Sequence, residues 1–117
     1  MNKIINKTPH PVYILDNENR VVKVFPKSNG MIRVPEQIKN VGEMDGIPIT
    51  TTKWGETTDV PKPRKDIFYI VSQLVKSALP HRYDFLVPKQ IVRDKSGNII
   101  GCKCLDIGET LPKNFKF

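Results

Sequence analysis

The stretch from Ile67 to Arg93, IFYIVSQLVKSALPHRYDFLVPKQIVR, constrains this chain more than any other. It opens on a continuous apolar run, Ile67 to Val71, with the character of a buried central strand. Ser72 follows where a hydroxyl can cap a helix. Leu74, Val75, Ala78 and Leu79 then fall at i, i+1, i+4 and i+5, one apolar face of a two-turn helix over 73–79 that Pro80 ends. So short a helix cannot stand alone and must pack on a sheet. A polar knot, Pro80-His81-Arg82-Tyr83-Asp84, comes next, and a second apolar run, Phe85 to Val87, leaves it.

The rest of the chain reads as short strands and turns. Ten prolines against seven glycines disfavour long helices. Ile4 and Ile5 begin a strand that stops at Asn6-Lys7-Thr8-Pro9-His10-Pro11, where two prolines stiffen the backbone. Residues 12–15 and 20–25 pair across Asp16-Asn17-Glu18-Asn19. Met31 to Val34 suggests a further strand. Glu36 to Gly42 stays open between a helical turn and a loop. Val41 to Met44 and Ile47 to Ile49 form a hairpin around Asp45-Gly46, lengthened by Thr50, Thr51 and Thr52. Residues 57–66, with Pro61 and Pro63, read as a loop of polyproline character. Strand resumes at 85–87 and 90–93, interrupted at Pro88, and returns over 99–105 after an Asp94–Asn98 turn. The expected fold is α+β, a mostly antiparallel sheet of β-hairpins with one short helix packed on it. It forms a single domain over residues 1–117, with a loosely packed tail from about residue 106 carrying Phe115 and Phe117.

Composition narrows the partners. Nineteen Lys and Arg against twelve Asp and Glu, a net +7, favour anionic partners. No run of about 18 apolar residues predicts a membrane span, and the N-terminus lacks the apolar core of a signal peptide. Cys102 and Cys104 suit reduced thiols, so a cytoplasmic location is expected. A thin hydrophobic supply and strand edges in need of cover predict a homo-oligomer.

No catalytic motif stands out. Cys102 and Cys104, even with His10 and His81, do not make a zinc pattern, so no metal is expected. Ser72, His81 and Asp84 invite a triad, yet Val71 and Gln73 flank Ser72 where a nucleophile elbow needs glycines. No Gly-rich phosphate loop is present and no cofactor is expected. One basic residue on the short helix, Lys76, makes nucleic acid a less favoured partner, reached only through a sheet surface. What remains is an anion site. Ser72 lies at a helix start, Arg82 just beyond the helix and Arg93 on the following strand. Tyr69 or Tyr83 would stack on a base, and Thr8, His10, Ser72 and Asp84 would fix polar edges. The competing reading pairs Arg82 with Asp84 and merely orders the corner.

Ile5-Asn6-x-Thr8-Pro9-His10, Tyr69-Ile70-Val71-Ser72, Pro80-x-Arg82-x-Asp84, Val92-Arg93-Asp94 and Gly97-x-Ile99-Ile100-Gly101-Cys102 together resemble a family of small proteins of bacterial, phage and prophage genomes. The resemblance spans nearly the whole chain and implies no particular chemistry. A phage setting makes one class of function more prominent: a non-catalytic sponge that sequesters an anionic, nucleotide-like immune signal. Two alternatives stand beside it. One is a protein-interaction or structural module contacting a partner through residues 57–66 and the tail. The other is a small hydrolase using Ser72 or His10.

Overall fold

A computed structural model describes residues 2–28, 30–55 and 59–109. In chain order the elements are β1 (Lys3–Asn6), β2 (Val12–Leu15), β3 (Val21–Phe25), β4 (Glu36–Met44), β5 (Ile47–Trp54), β6 (Ile67–Ile70), α1 (Gln73–Ala78), β7 (Phe85–Arg93) and β8 (Ile99–Asp106). Six strands form one sheet in the order β1-β6-β7-β8-β2-β3; β4 and β5 form a separate two-stranded ribbon.

The fold is α+β, but the main sheet is mixed rather than mostly antiparallel. β1 pairs parallel with β6, β6 with β7, and β2 with β8. Only β7–β8 and β2–β3 are antiparallel hairpins within it. For β6 and β7 the cause lies in the Ile67–Arg93 stretch itself. A strand, a helix and a second strand make a crossover, and a crossover connection is what parallel neighbours require.

Alternation along β6 divides the apolar core in two. Tyr69, with Val71 just beyond the strand, joins Phe85, Val87, Ile32 and the helix residue Val75 on one side. Ile70 joins Val12 and Cys102 on the other, with Ile4, Ile14, Phe25 and Leu105 around them. Phe85, Ile70 and Val71 are wholly enclosed, each removing apolar area worth about 1.5–3 kcal/mol from water. The segment 31–34 is not a strand of the sheet; Ile32 is buried there as a plug beside the helix.

Asn6, buried at the end of β1, brings the two sheet edges together. Its Nδ2 donates to the carbonyls of Phe25 on β3 (3.0 Å) and of His10 (2.8 Å). Its own carbonyl accepts the Ser28 N–H and hydroxyl. The sheet therefore curls around the Ile70 cluster. Gly101 permits the close approach of β8 to β2: a Cβ there would lie 2.7 Å from the Tyr13 carbonyl oxygen and 2.8 Å from Leu15 Cγ.

Helix α1 begins as its sequence predicts, with the Ser72 hydroxyl accepting the Val75 N–H at 3.2 Å. Lys76 then fastens the helix to the sheet. Its ammonium donates to the carbonyls of Phe85 and Ile107, both at 2.9 Å. Burial pulls the Lys76 pKa below its ordinary value, against the opposing pull of the Asp106 and Asp84 charges. Pro88 does not interrupt β7, which runs unbroken to Arg93. Tail residues 110–117, with Phe115 and Phe117, and Thr57 and Thr58 of the expected 57–66 loop lie outside the described residues.

Candidate functional site

The ribbon β4–β5 is the most unusual part of the molecule. None of its residues is buried, and only Ile49 is half-buried. Its substantial packing is between its own two strands. Its ends meet at the body, where the Gly55 N–H donates to the Pro35 carbonyl at 2.7 Å. The radius of gyration, 17.1 Å, exceeds the roughly 13 Å of a compact chain of this length.

Local chemistry explains the ribbon's shape. Asp45 and Gly46 both take positive φ, 51° and 76°, the tight turn that matches strand twist. Ladder pairing runs from Glu36↔Trp54 to Met44↔Ile47, with a bulge between Asn40 and Gly42. The Asn40 carboxamide oxygen accepts the Gly42 N–H there. Thr50, Thr51 and Thr52 suit the pleat. What the ribbon lacks is a buried face. Ile38, Val41, Met44, Ile47 and Trp54 are all exposed, and an isolated two-stranded hairpin is at best marginally stable in water. Apolar groups gathered on a projecting tip mark a contact surface.

A second bare apolar region lies on the body. A groove of about 430 Å³ is lined by His10, Tyr13, Pro88, Ile91, Ile99 and Ile100, among others. Tyr13 faces Val24 across the β2–β3 ladder, so they share one side of the sheet. Both are exposed, as are Ile91, Ile99 and Ile100. Lys89 and Arg93 stand on β7 either side of Ile91, exposed and in no ion pair among the described residues. A smaller apolar recess of about 340 Å³, lined by Ile4, Phe68, Leu86 and Leu105 with Asp106, opens elsewhere on the sheet.

The residues that the sequence proposed for an anion site are distributed over several places. Thr8 and His10 belong to the turn organised by Asn6, whose Oδ1 accepts the Thr8 N–H (2.9 Å) and hydroxyl (2.7 Å). Tyr69 is buried, edge-on to Phe85 with ring centroids 6.4 Å apart. The Ser72 hydroxyl caps α1. Arg82 grips Asp84 with two parallel bonds, Nε to Oδ1 at 2.8 Å and Nη2 to Oδ2 at 2.7 Å. Its guanidinium also lies 4.4 Å from the centre of the Phe85 ring. The Arg82 and Asp84 side chains are 9% and 2% exposed, so the corner expected to hold an anion is filled by the chain's own carboxylate. Tyr83 is exposed. Arg93 sits at the far end of β7, donating to the Gly97 carbonyl in its own hairpin.

Cys102 and Cys104 show no metal geometry. Cys102 is buried in the inner cluster, where burial and the neighbouring Cys104 push its thiol pKa up. Among the described residues no group of three His, Cys, Asp or Glu is placed to hold a metal ion, and no helix is long and apolar enough to cross a membrane.

The hairpin around Asp45-Gly46 was legible in the sequence, but the start of β4, Glu36 to Asn40, was not, for a physical reason. Ile38, Val41 and Met44 recur every third residue, a helix-like spacing. The bulge at Asn40–Gly42 supplies the extra residue that breaks strand alternation. The signal that survives is the β-branched partner run, Ile47 to Thr52. Comparison with protein-family models, curated proteins and solved structures finds no match.

Proposed function

We propose that the chain is a non-catalytic protein-interaction module whose contact organ is the β4–β5 ribbon. The observation that carries this reading is a ribbon with no buried residue whose apolar side chains collect at its tip and root. The body gains nothing from holding Val41, Met44 and Ile47 in water. A partner that covers them removes that exposed area and stiffens a marginal hairpin. The charged corner offers less to a ligand, because Arg82 and Asp84 satisfy each other.

The test uses the adjacency of Pro35 and Gly55. Replacing residues 36–54 by a two-residue Asn-Gly turn removes the ribbon and leaves the curled sheet closed. The shortened chain is expected to keep its circular dichroism and thermal transition, and to lose the full chain's macromolecular associations. Full retention of those associations on a folded, shortened chain would overturn the reading.

Capture of an anionic, nucleotide-like small molecule, in the manner of an immune-signal sponge, is the second reading. Its support is the groove beside His10 and Tyr13, of a size that small ligands fill, with Arg93 on the neighbouring strand. Isothermal titration against cyclic nucleotides and ADP-ribose derivatives tests it, with Tyr13→Ala as the control expected to abolish heat. Absence of heat with every member on folded wild-type chain removes it.

A further inference from the structure

The ribbon and the groove are two unsatisfied surfaces of one chain, and their chemistry is complementary. The tip presents Val41, Met44 and Ile47, all exposed. Between them stand Glu43 and Asp45, neither in an ion pair among the described residues. The groove presents Tyr13, Ile91, Ile99 and Ile100, with the cations Lys89 and Arg93, in no ion pair among the described residues, along the same strand as Ile91. The charge division extends to the whole chain. Residues 36–54 hold two basic residues, Lys39 and Lys53, against three acidic ones, Glu36, Glu43 and Asp45. The remaining sequence holds seventeen Lys and Arg (19 − 2) against nine Asp and Glu (12 − 3). The ribbon is thus the acid-leaning part of a basic protein.

Two other occupants fit the ribbon less well. A nucleic-acid arm needs cations along its length to meet phosphate, and this one is net negative. An anionic lipid surface repels Glu43 and Asp45 for the same reason. The ribbon does not line the groove of its own chain. Its reach, about 28 Å for strands of this length, takes the tip away from the body.

We propose that the hairpin tip of one copy seats in the β7–β8–β2 groove of a second copy, with Glu43 and Asp45 meeting Lys89 and Arg93. This rests on the interaction-module reading and names its partner. Each copy then offers one tip and one groove, which are different surfaces. The contact is head-to-tail: repeated, it closes into a ring if the rotation permits and otherwise extends as a filament. Apolar insertion supplies the attraction, and the charges set the register and exclude wrong partners.

A charge exchange on the full chain tests this. The tip variant carries Glu43→Lys and Asp45→Lys; the groove variant carries Lys89→Glu and Arg93→Glu. All four positions are exposed, so the groove variant is expected to melt with the wild type; Asp45 takes positive φ, which lysine tolerates less well, so the tip variant is expected to melt slightly lower, and circular dichroism confirms folding before association is read. By sedimentation velocity over a concentration series, wild type is expected to show mass above one chain. Each variant alone should associate roughly a hundredfold more weakly or not at all, because like charges then face each other. An equimolar mixture should regain the wild-type mass, since each tip now meets a groove of opposite sign. If a variant does not fold, Ile47→Asp and Ile100→Asp replace the pair, and the mixture is expected to stop at complexes of two chains. Wild type that stays a single chain at its highest soluble concentration overturns self-association, while leaving the ribbon free to bind another protein. Wild type that associates unchanged through both variants and through ribbon excision overturns the interaction reading with it.

Discussion

The Arg82–Asp84 corner and the β4–β5 ribbon are opposite in how they treat their side chains. At the corner, charged groups are withdrawn from water and matched bond for bond: both carboxylate oxygens of Asp84 are met, and the guanidinium lies against Phe85. In the ribbon, apolar groups are left largely in water, covered only in part by the facing strand. The corner looks like chemistry in sequence and is architecture in space. The ribbon looks in sequence like one more hairpin of the sheet, and it carries the exposed apolar surface. Convergent polar residues point to a ligand only when their bonding capacity is left over, and at the corner most of it is used internally.

Breaking the corner has the largest expected effect. Arg82→Met leaves the Asp84 carboxylate buried without its partner, a loss of about 3–5 kcal/mol. The measurement is a lowered denaturant midpoint at unchanged slope. If Arg82 instead served an external ligand, stability would change little and binding would disappear. The double variant Arg82→Met with Asp84→Leu is expected to recover much of the loss, because no charge is then stranded.

A smaller loss is expected from Gly101→Ala. The new methyl meets the Tyr13 carbonyl, a backbone atom that cannot swing aside. A cost of about 1–3 kcal/mol follows, read as a lower melting temperature. Because β2 carries Tyr13 into the groove, this variant also sharpens the comparison. Gly101 itself lines the groove, so groove-dependent association should weaken in it as well.

The comparison also shows what was legible in the sequence and why. The helix, its Ser72 cap and the Asp45-Gly46 turn follow from local rules, and each is in place. The strand–helix–strand order of Ile67–Arg93 already implied parallel neighbours, and reading its strands as hairpins missed this. β1 pairs with β6 across sixty intervening residues, and no local pattern announces such a partner. The Arg82-x-Asp84 spacing allowed both a self-contained pair and an anion site; burial decides between them, and burial is a property of the whole fold. Asn6 read as part of a Thr-Pro-His segment, yet its side chain joins two sheet edges that are distant in sequence.

Lys76 offers a pH test of the body alone. Burial depresses its pKa in the folded chain from the usual 10.5, so below that value the unfolded chain holds the proton more readily. Folding stability from this group therefore rises as pH climbs from the depressed folded value toward 10.5, and is absent below that window. Lys76→Met should start less stable, with the Phe85 and Ile107 carbonyls unmet. It should also lack that rise. Comparing the pH slopes of the two proteins isolates the effect from other titrating lysines and tyrosines, and ribbon variants should keep the wild-type slope.

The smallest expected effect on folding is the most telling about function. Met44→Asp and Ile47→Asp replace side chains that are 67% and 61% exposed and touch no core cluster. Surface changes away from packed features shift stability by about 0.5 kcal/mol or less. A dilute melting temperature matching the wild type is therefore expected from both, while the mass measured at high concentration falls. The same apolar-to-acidic change at Ile32 or Val75, inside the outer cluster, would unfold the body. If Met44→Asp destabilised the dilute single chain as a core change does, the tip would be packing against its own body. The ribbon would then be part of the fold rather than a surface held ready for a partner.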